Sequence, residues 1–309
     1  MPRPATLVGL CVVFGITTGG ATCTRRPSTP VFPPPPPVSF SPAPTLSEVA
    51  AAVNRTDDVS MLSTTSATVR VASMPKLPKL RATVHARRER DFRLKADLPV
   101  VLGSGIDLGS NADRFWFETP ERLSRTLYWS DHHRFRHTGA RTVLPVDPTW
   151  FMQAMGLARV NPDAVIAGPM VRSDGLLEIR ENVPMPGGDH SRVLYVEPEG
   201  GYVTDQWVIN EQNLVVARSE ARGHVYYPIP GASGGTTGCV LPHHVRIHLT
   251  PPGGQEVELE FDIARYTINQ LLSGDANLFV MPTTAANRVD LASNFVPPVA
   301  QRPSVYSRH

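Results

Sequence analysis

Of the chain's three cysteines, Cys23 is the one placed for covalent chemistry. It follows an apolar run from Leu7 to Thr18 and the small residues Gly19-Gly20-Ala21-Thr22, with Arg3 ahead of the run. A basic start, an apolar core of roughly 7–15 residues and small residues before a cut are the parts of a secretory signal. The run is too short to span a bilayer. Cleavage before Cys23 would leave its thiol as a lipid acceptor, although Gly20 stands where leucine is usual in such a signal and Thr22 where glycine, alanine or serine is. Ordinary secretion with a cut near Ala21 is the alternative. Thr24, rather than aspartate, follows the cysteine and points away from retention at an inner membrane. With Cys11 inside the signal, Cys239 has no intramolecular partner and reads as a small buried apolar residue.

The remaining reactive side chains form weaker patterns. Asp131-His132-His133 with His137, and His243-His244 with His248, invite a metal reading because imidazole is the commonest ligand. Arg246 lies between His244 and His248, however, and no cysteine or carboxylate spacing matches a zinc pattern, so no metal is expected. No Gly-x-Ser-x-Gly elbow is expected, His-Glu-x-x-His and the phosphate-binding loop are absent, and no catalytic residue or cofactor is assigned. His85, Arg87, Arg88, Arg90, Arg93 and Lys95 crowd two strands and their turn, where alternate positions share a face. They could meet lipid phosphates, which arginine binds bidentately, or form a solvated hairpin balanced by Glu89 and Asp91. A formal charge of +2 gives no field for nucleic acid.

These residues need a scaffold. After a signal over 1–22, residues 23–44 are rich in proline, pre-set to polyproline II, and could hold the following domain about 60 Å from Cys23 at about 3.1 Å per residue. Thr45-Leu-Ser-Glu48 reads as a capping box opening a helix to about Val59. Short β-branched and aromatic runs follow, at Ala67–Ala72, Leu80–Arg88, Phe92–Ala96, Ile106–Leu108, Arg114–Glu118 and Thr126–Ser130. A second helix is expected from Asp147 to Gly156, with Pro148 at its first position. More strands return at Leu176–Glu181, Arg192–Glu197, Val203–Ile209, Leu214–Tyr226, Val240–Leu249, Val257–Tyr266 and Leu278–Val280, with Pro228–Gly238 as a loop. The pattern predicts a mainly β (α+β) domain over 45–282, then a flexible tail over 283–309.

The order of these elements resembles the LolA/LolB-like family of outer-membrane lipoprotein carriers and receptors. The most suggestive segment runs from Phe92-Arg-Leu-Lys-Ala-Asp-Leu-Pro-Val-Val-Leu-Gly103 to Ile106-Asp-Leu-Gly-Ser-Asn-Ala-Asp-Arg-Phe-Trp-Phe117. The resemblance implies an open, strongly curved antiparallel sheet, a half-barrel, with helices over its mouth and an apolar concave face for acyl chains. Its wall would include Val69, Val71, Leu80, Val84, Phe92, Leu94, Phe115, Phe117, Leu127, Trp129, Trp207 and Ile209. Leu46, Val49, Trp150, Phe151 and Met155 would plug the mouth when no lipid is present. Ordinary packed core is the competing reading of all of them, since alternation alone marks only a buried strand face. Pro99 and Leu102 resemble the receptor branch's exposed apolar loop, which would touch membrane or cargo, and they could equally extend a buried strand. The partners implied are lipid or acylated protein cargo and the outer membrane, reached through the lipid on Cys23. A structural or sensory envelope protein binding another protein's apolar segment is the alternative.

Overall fold

Thr45 and Glu48 cap the first helix reciprocally, as their spacing predicts. The Glu48 backbone N–H donates to Thr45 Oγ1 at 3.3 Å and the Thr45 N–H to Glu48 Oε2 at 2.7 Å. These bonds hold the Glu48 carboxyl below the usual carboxylate range. Helix α1 (Leu46–Val53) turns its Val49, Ala50 and Val53 face inward and tightens into a 3-10 turn at Asn54–Asp58. The computed structural model describes residues 40–97, 105–119, 125–136, 144–147, 149–183, 190–230, 236–251, 255–283 and 287–293.

Six strands follow in sequence: β1 (Met61–Val71), β2 (Leu80–Arg87), β3 (Asp91–Asp97), β4 (Ile106–Ser110), β5 (Arg114–Glu118) and β6 (Thr126–Asp131). Helices α2 (His132–Arg136) and α3 (Trp150–Met152) separate them from β7 (Val165–Val171), β8 (Leu177–Val183), β9 (His190–Glu197), β10 (Tyr202–Ile209) and β11 (Val215–Arg222). A separate hairpin, β12 (Val225–Pro230) with β13 (Thr236–Leu241), precedes β14 (His244–Leu249), β15 (Val257–Ile263), β16 (Thr267–Ile268) and β17 (Asn287–Asp290).

The large sheet runs β17-β6-β5-β4-β3-β2-β1-β15-β14-β11-β10-β9-β8-β7 and does not close; β16 pairs with the start of β1. Its two halves join where β1 meets β15, with Val69 opposite Phe261. Neighbours are antiparallel except β17, which lies parallel to β6. The protein is therefore mostly β with few helices, as the strand pattern predicts, and its sheet is open and curved, as the resemblance implies.

Several boundaries differ from the sequence reading, each for a local reason. The runs Leu214–Tyr226 and Val240–Leu249 are each two strands, broken at Gly223 (φ +64°) and at Pro242-His243. Strand β7 escapes a periodicity reading because Gly168 and Pro169 interrupt it. Leu278–Val280 is a turn, not a strand: the Leu278 N–H donates to the Asp275 carbonyl at 3.1 Å and the Val280 N–H to that of Asn277 at 2.9 Å. Beyond Pro282, inside the segment read as a flexible tail, Asn287–Asp290 forms β17 on the edge of β6.

Candidate functional site: an apolar cavity under the mid-chain helix

The inner face of the sheet is set by register. Val84, Leu94, Leu108 and Phe117 stand in one row across β2 to β5, and Val69 and Leu80 form a second row on the same side of β1 and β2. A side chain every second residue brings them to the same side. The cover over this face begins at Asp147, whose Oδ1 accepts from the Thr149 backbone N–H at 3.0 Å and its hydroxyl at 2.8 Å. Helix α3 follows and widens into a π turn over Gln153–Leu157. Gly156 ends it at φ +103°, where a Cβ would come within 2.5 Å of Pro242 Cδ. The helix expected from Asp147 to Gly156 is present in this shorter form.

Two polar side chains of the sheet fasten the cover. Arg192 donates from Nε to Glu181 Oε2 at 2.8 Å, from Nη1 to Gln153 Oε1, and from Nη2 to the Arg159 carbonyl at 2.7 Å. Gln206 Nε2 donates to the Gln153 carbonyl at 2.9 Å. Arg192 and Glu181 are both buried. Nothing in the sequence pattern singles them out, because a charged residue within a strand ordinarily signals the solvent side.

Between sheet and cover lies an apolar cavity of about 220 Å³. Val69, Val71, Leu94, Phe117 and Phe151, all expected from the sequence, line it. Leu80, Val84, Phe92, Phe115, Trp150 and Met155 lie on the same side but are packed into the buried cluster around it. The sequence reading omitted Met74, Leu77, Ile106, Leu108, Leu144, Leu249, Pro251, Val257 and Leu259 from the lining. The alternations Ile106/Leu108 and Val257/Leu259 carried the signal for four of these. Among the described lining residues only Glu118 and Thr119 are polar.

Four expected wall residues are not brought to the cavity. Leu127 and Trp129 face the other side of the sheet, against Trp116 and Met281. Trp207 is paired with Val193 and Arg218 and packs edge-on against Tyr195 at 5.3 Å, opposite the face used by Gln206 and Val208. Ile209 is half-buried beside the core residue Val208 and belongs to none of the buried clusters. On both strands each face mixes polar and apolar residues, so composition does not select the inner one. Cys23, Pro99 and Leu102 lie outside the described residues.

The basic hairpin does not assemble into one anion site. His85 is buried against Ser63 Oγ at 3.0 Å, and burial pushes its pKa down. Arg87 pairs with Asp91, and Arg88 donates to the Val59 and Thr56 carbonyls at 2.9 and 2.7 Å. Arg93 is buried on the outer face beside Asp107, where it donates to the Leu278 and Val280 carbonyls at 3.2 and 2.9 Å.

Three of the histidines are likewise occupied, and His137 lies outside the described residues. His132 contacts Ser110 Oγ at 3.1 Å, His243 contacts the Tyr227 hydroxyl at 2.9 Å, and His244 contacts Asp262 at 2.8 Å. Among the described residues no three His, Cys, Asp or Glu side chains form a metal-sized group. Cys239 is buried and its thiol is pushed up to about 12 by desolvation, far from a nucleophile's range. Gly231-Ala-Ser-Gly-Gly235 does have the Gly-x-Ser-x-Gly spacing, contrary to the expectation that the chain holds no such elbow. The five residues lie outside the described residues, but the elements on either side of them, β12 and β13, are antiparallel partner strands, whereas a nucleophile elbow needs a helix after the strand.

No family model matches the chain, and neither does any curated protein. Solved structures similar to it include a putative outer membrane lipoprotein-sorting protein domain from Vibrio parahaemolyticus, 9% identical over 74% of this chain and 95% of that one, with a TM-score of 0.46. A DUF1329 family protein from Desulfovibrio piger is 10% identical over 75% and 94%, with a TM-score of 0.45. A LolA superfamily protein from Nitrosomonas europaea is 13% identical over 75% and 97%, with a TM-score of 0.41. A lipoprotein-sorting protein domain, a DUF1329 family protein and a LolA superfamily protein are thus among the chain's structural neighbours.

Proposed function

We propose that the protein binds a single acyl chain, of a lipid or of an acylated protein, reversibly in the cavity beneath Phe151, and that it does so while tethered through lipid on Cys23 to the periplasmic face of an outer membrane. The observation that carries this reading is the cavity itself. It exceeds the ~150 Å³ at which an engineered apolar cavity already takes up benzene, and its described lining is almost wholly apolar. Binding needs no covalent step: apolar contact offsets the loss of membrane contact at about 0.8 kcal/mol per methylene. Delivery within outer-membrane lipoprotein localisation is the role proposed for such binding.

Native mass spectrometry of protein extracted without detergent tests the reading. Acyl-bearing ligands should accompany the wild type and be lost from Leu108→Glu, which places a carboxylate in the lining. Absence of any ligand, together with failure to take up added fatty acid, refutes it and favours an envelope protein that uses the fold to hold a protein partner. Labelled palmitate incorporated by the wild type and lost in Cys23→Ser tests the tether separately.

A further inference from the structure

The basic hairpin's own cations do not gather, but the two in its turn meet a third from another part of the chain. Arg88 and Arg90, between β2 and β3, line a pocket of about 230 Å³ with Arg159, which lies just past the π turn of the cover. Met152, Gln153 and Leu157 of the cover line it too, and so does Glu89. Arg88 and Arg159 share a single carboxylate oxygen, Asp57 Oδ1, at 3.2 and 2.9 Å. The Val59 and Thr56 carbonyls fix Arg88 in place. Burial lowers the Arg88 pKa, Asp57 offsets part of this, and Arg159 lowers it further, so the pocket already sets two cations against each other. Arg159 uses only its Nε on the carboxylate. Arg90 is half-buried, and among the described residues no hydrogen bond or ion pair engages its guanidinium.

We infer that this pocket is an anion site for a phosphate group, free or as the head of a lipid, bound by Arg90 and Arg159 and flanked by Arg88. Three guanidinium groups stand against two carboxylates, Asp57 and the exposed Glu89, which leaves one positive charge in excess. A guanidinium carries N–H donors in a planar fork that matches phosphate oxygens bidentately. Arg90 has its whole fork unfilled and Arg159 its two Nη groups, more donors than the roughly four lone pairs of a carboxylate accept. The three or four oxygens of a phosphate answer them better. At about 30 Å³ per water, the pocket has the room of roughly seven waters, enough for the phosphate and the start of an ester chain. An anion held there ties the β2–β3 turn to the chain leaving the cover. Among the described residues the pocket and the apolar cavity share no lining side chain, so the inference stands without the acyl-chain reading.

The test is calorimetry on the full chain at low ionic strength, with inorganic phosphate and with dihexanoyl phosphatidic acid as probes and dihexanoylglycerol as the uncharged control. Saturable binding of a phosphate probe is expected, weakened at least about tenfold by Arg90→Gln and unchanged by Arg81→Gln, an exposed cation at the far end of β2. A second variant removes no donor: Glu89→Gln takes away the opposing carboxylate and should tighten binding. Tighter binding of phosphatidic acid than of inorganic phosphate, lost in Arg90→Gln, assigns the site to a lipid head; equal binding of the two, with one displacing the other, assigns it to the free anion. No binding of either phosphate probe, or binding indifferent to both Arg90→Gln and Glu89→Gln, overturns the inference. So does binding of dihexanoylglycerol as tight as that of phosphatidic acid, which places the ligand in the apolar cavity alone; fatty-acid uptake, measured on the same variants, reports on that cavity separately.

Discussion

The cavity makes a quantitative demand on chain length. Scaled from the ~150 Å³ cavity that accepts benzene, about 220 Å³ holds roughly nine carbon atoms. Each methylene buried contributes about 0.8 kcal/mol, close to fourfold in affinity. A series of straight-chain fatty acids measured by calorimetry should therefore tighten about fourfold per carbon and then level off near nine carbons, where further methylenes stay outside. Val257→Phe fills part of the lining from a half-buried position and should move the levelling point to shorter chains while leaving the earlier slope unchanged. Affinity independent of chain length refutes the reasoning. A slope that continues well beyond the levelling point refutes the rigid cover, because the extra room then comes from displacement of the Trp150–Leu157 segment.

His224, stacked on Tyr202 with ring centroids 4.1 Å apart, has its pKa lowered by burial to about 4 from 6.5. Its contribution is complete above the unfolded value and is lost as pH falls through the folded one, about 3 kcal/mol by pH 4. Urea unfolding of the wild type and His224→Phe should show the variant with the flatter pH dependence between 6.5 and 4; equal slopes refute the assignment. Gly156→Ala should destabilise by more than about 1 kcal/mol, since a side chain is strained at its positive φ and Pro242 blocks the space; an unchanged thermal midpoint contradicts this. Thr45→Ala removes the capping box and should cost about 1 kcal/mol in the same unfolding assay.

Legibility followed how local the determinant was. The capping box, the turn chemistry at Asp147 and the stop at Gly156 act within a few residues, so their letters announce them, and the strand runs Leu80–Arg87 and Arg114–Glu118 are where alternation puts them. Face assignment is not local. Phe117 and Leu127 both sit in apolar strands, yet one looks into the cavity and the other away from it, because the turn from Leu278 to Met281 covers the outer side of β3 to β6. Register across that many strands is fixed by partners distant in sequence, such as β15 returning to β1. The same distance hides Arg192, whose acceptors come from two other segments, Gln153 and Arg159 from the cover and Glu181 from β8.

Those bonds bear on how the cavity could open. Removing Arg192 alone would leave the Glu181 carboxylate buried without its cation, although the Asn161 N–H at 2.8 Å would still serve Oε1. Breaking one member of a buried pair typically costs 3–5 kcal/mol, whereas replacing both by apolar residues is often neutral. Arg192→Met should therefore destabilise the whole domain, while Arg192→Met with Glu181→Leu should recover most of that loss and still free Gln153 of one tie. If the cover is held shut chiefly by this pair, the double variant takes up fatty acid faster than the wild type in stopped-flow measurements at nearly wild-type stability. If packing of Phe151 and Met155 against the sheet holds it, uptake is unchanged in the double variant and quickens only when those side chains are shortened. The two outcomes separate a polar latch from an apolar seal, and only the latch gives the cover a reason to carry charged residues on the inner face of the sheet.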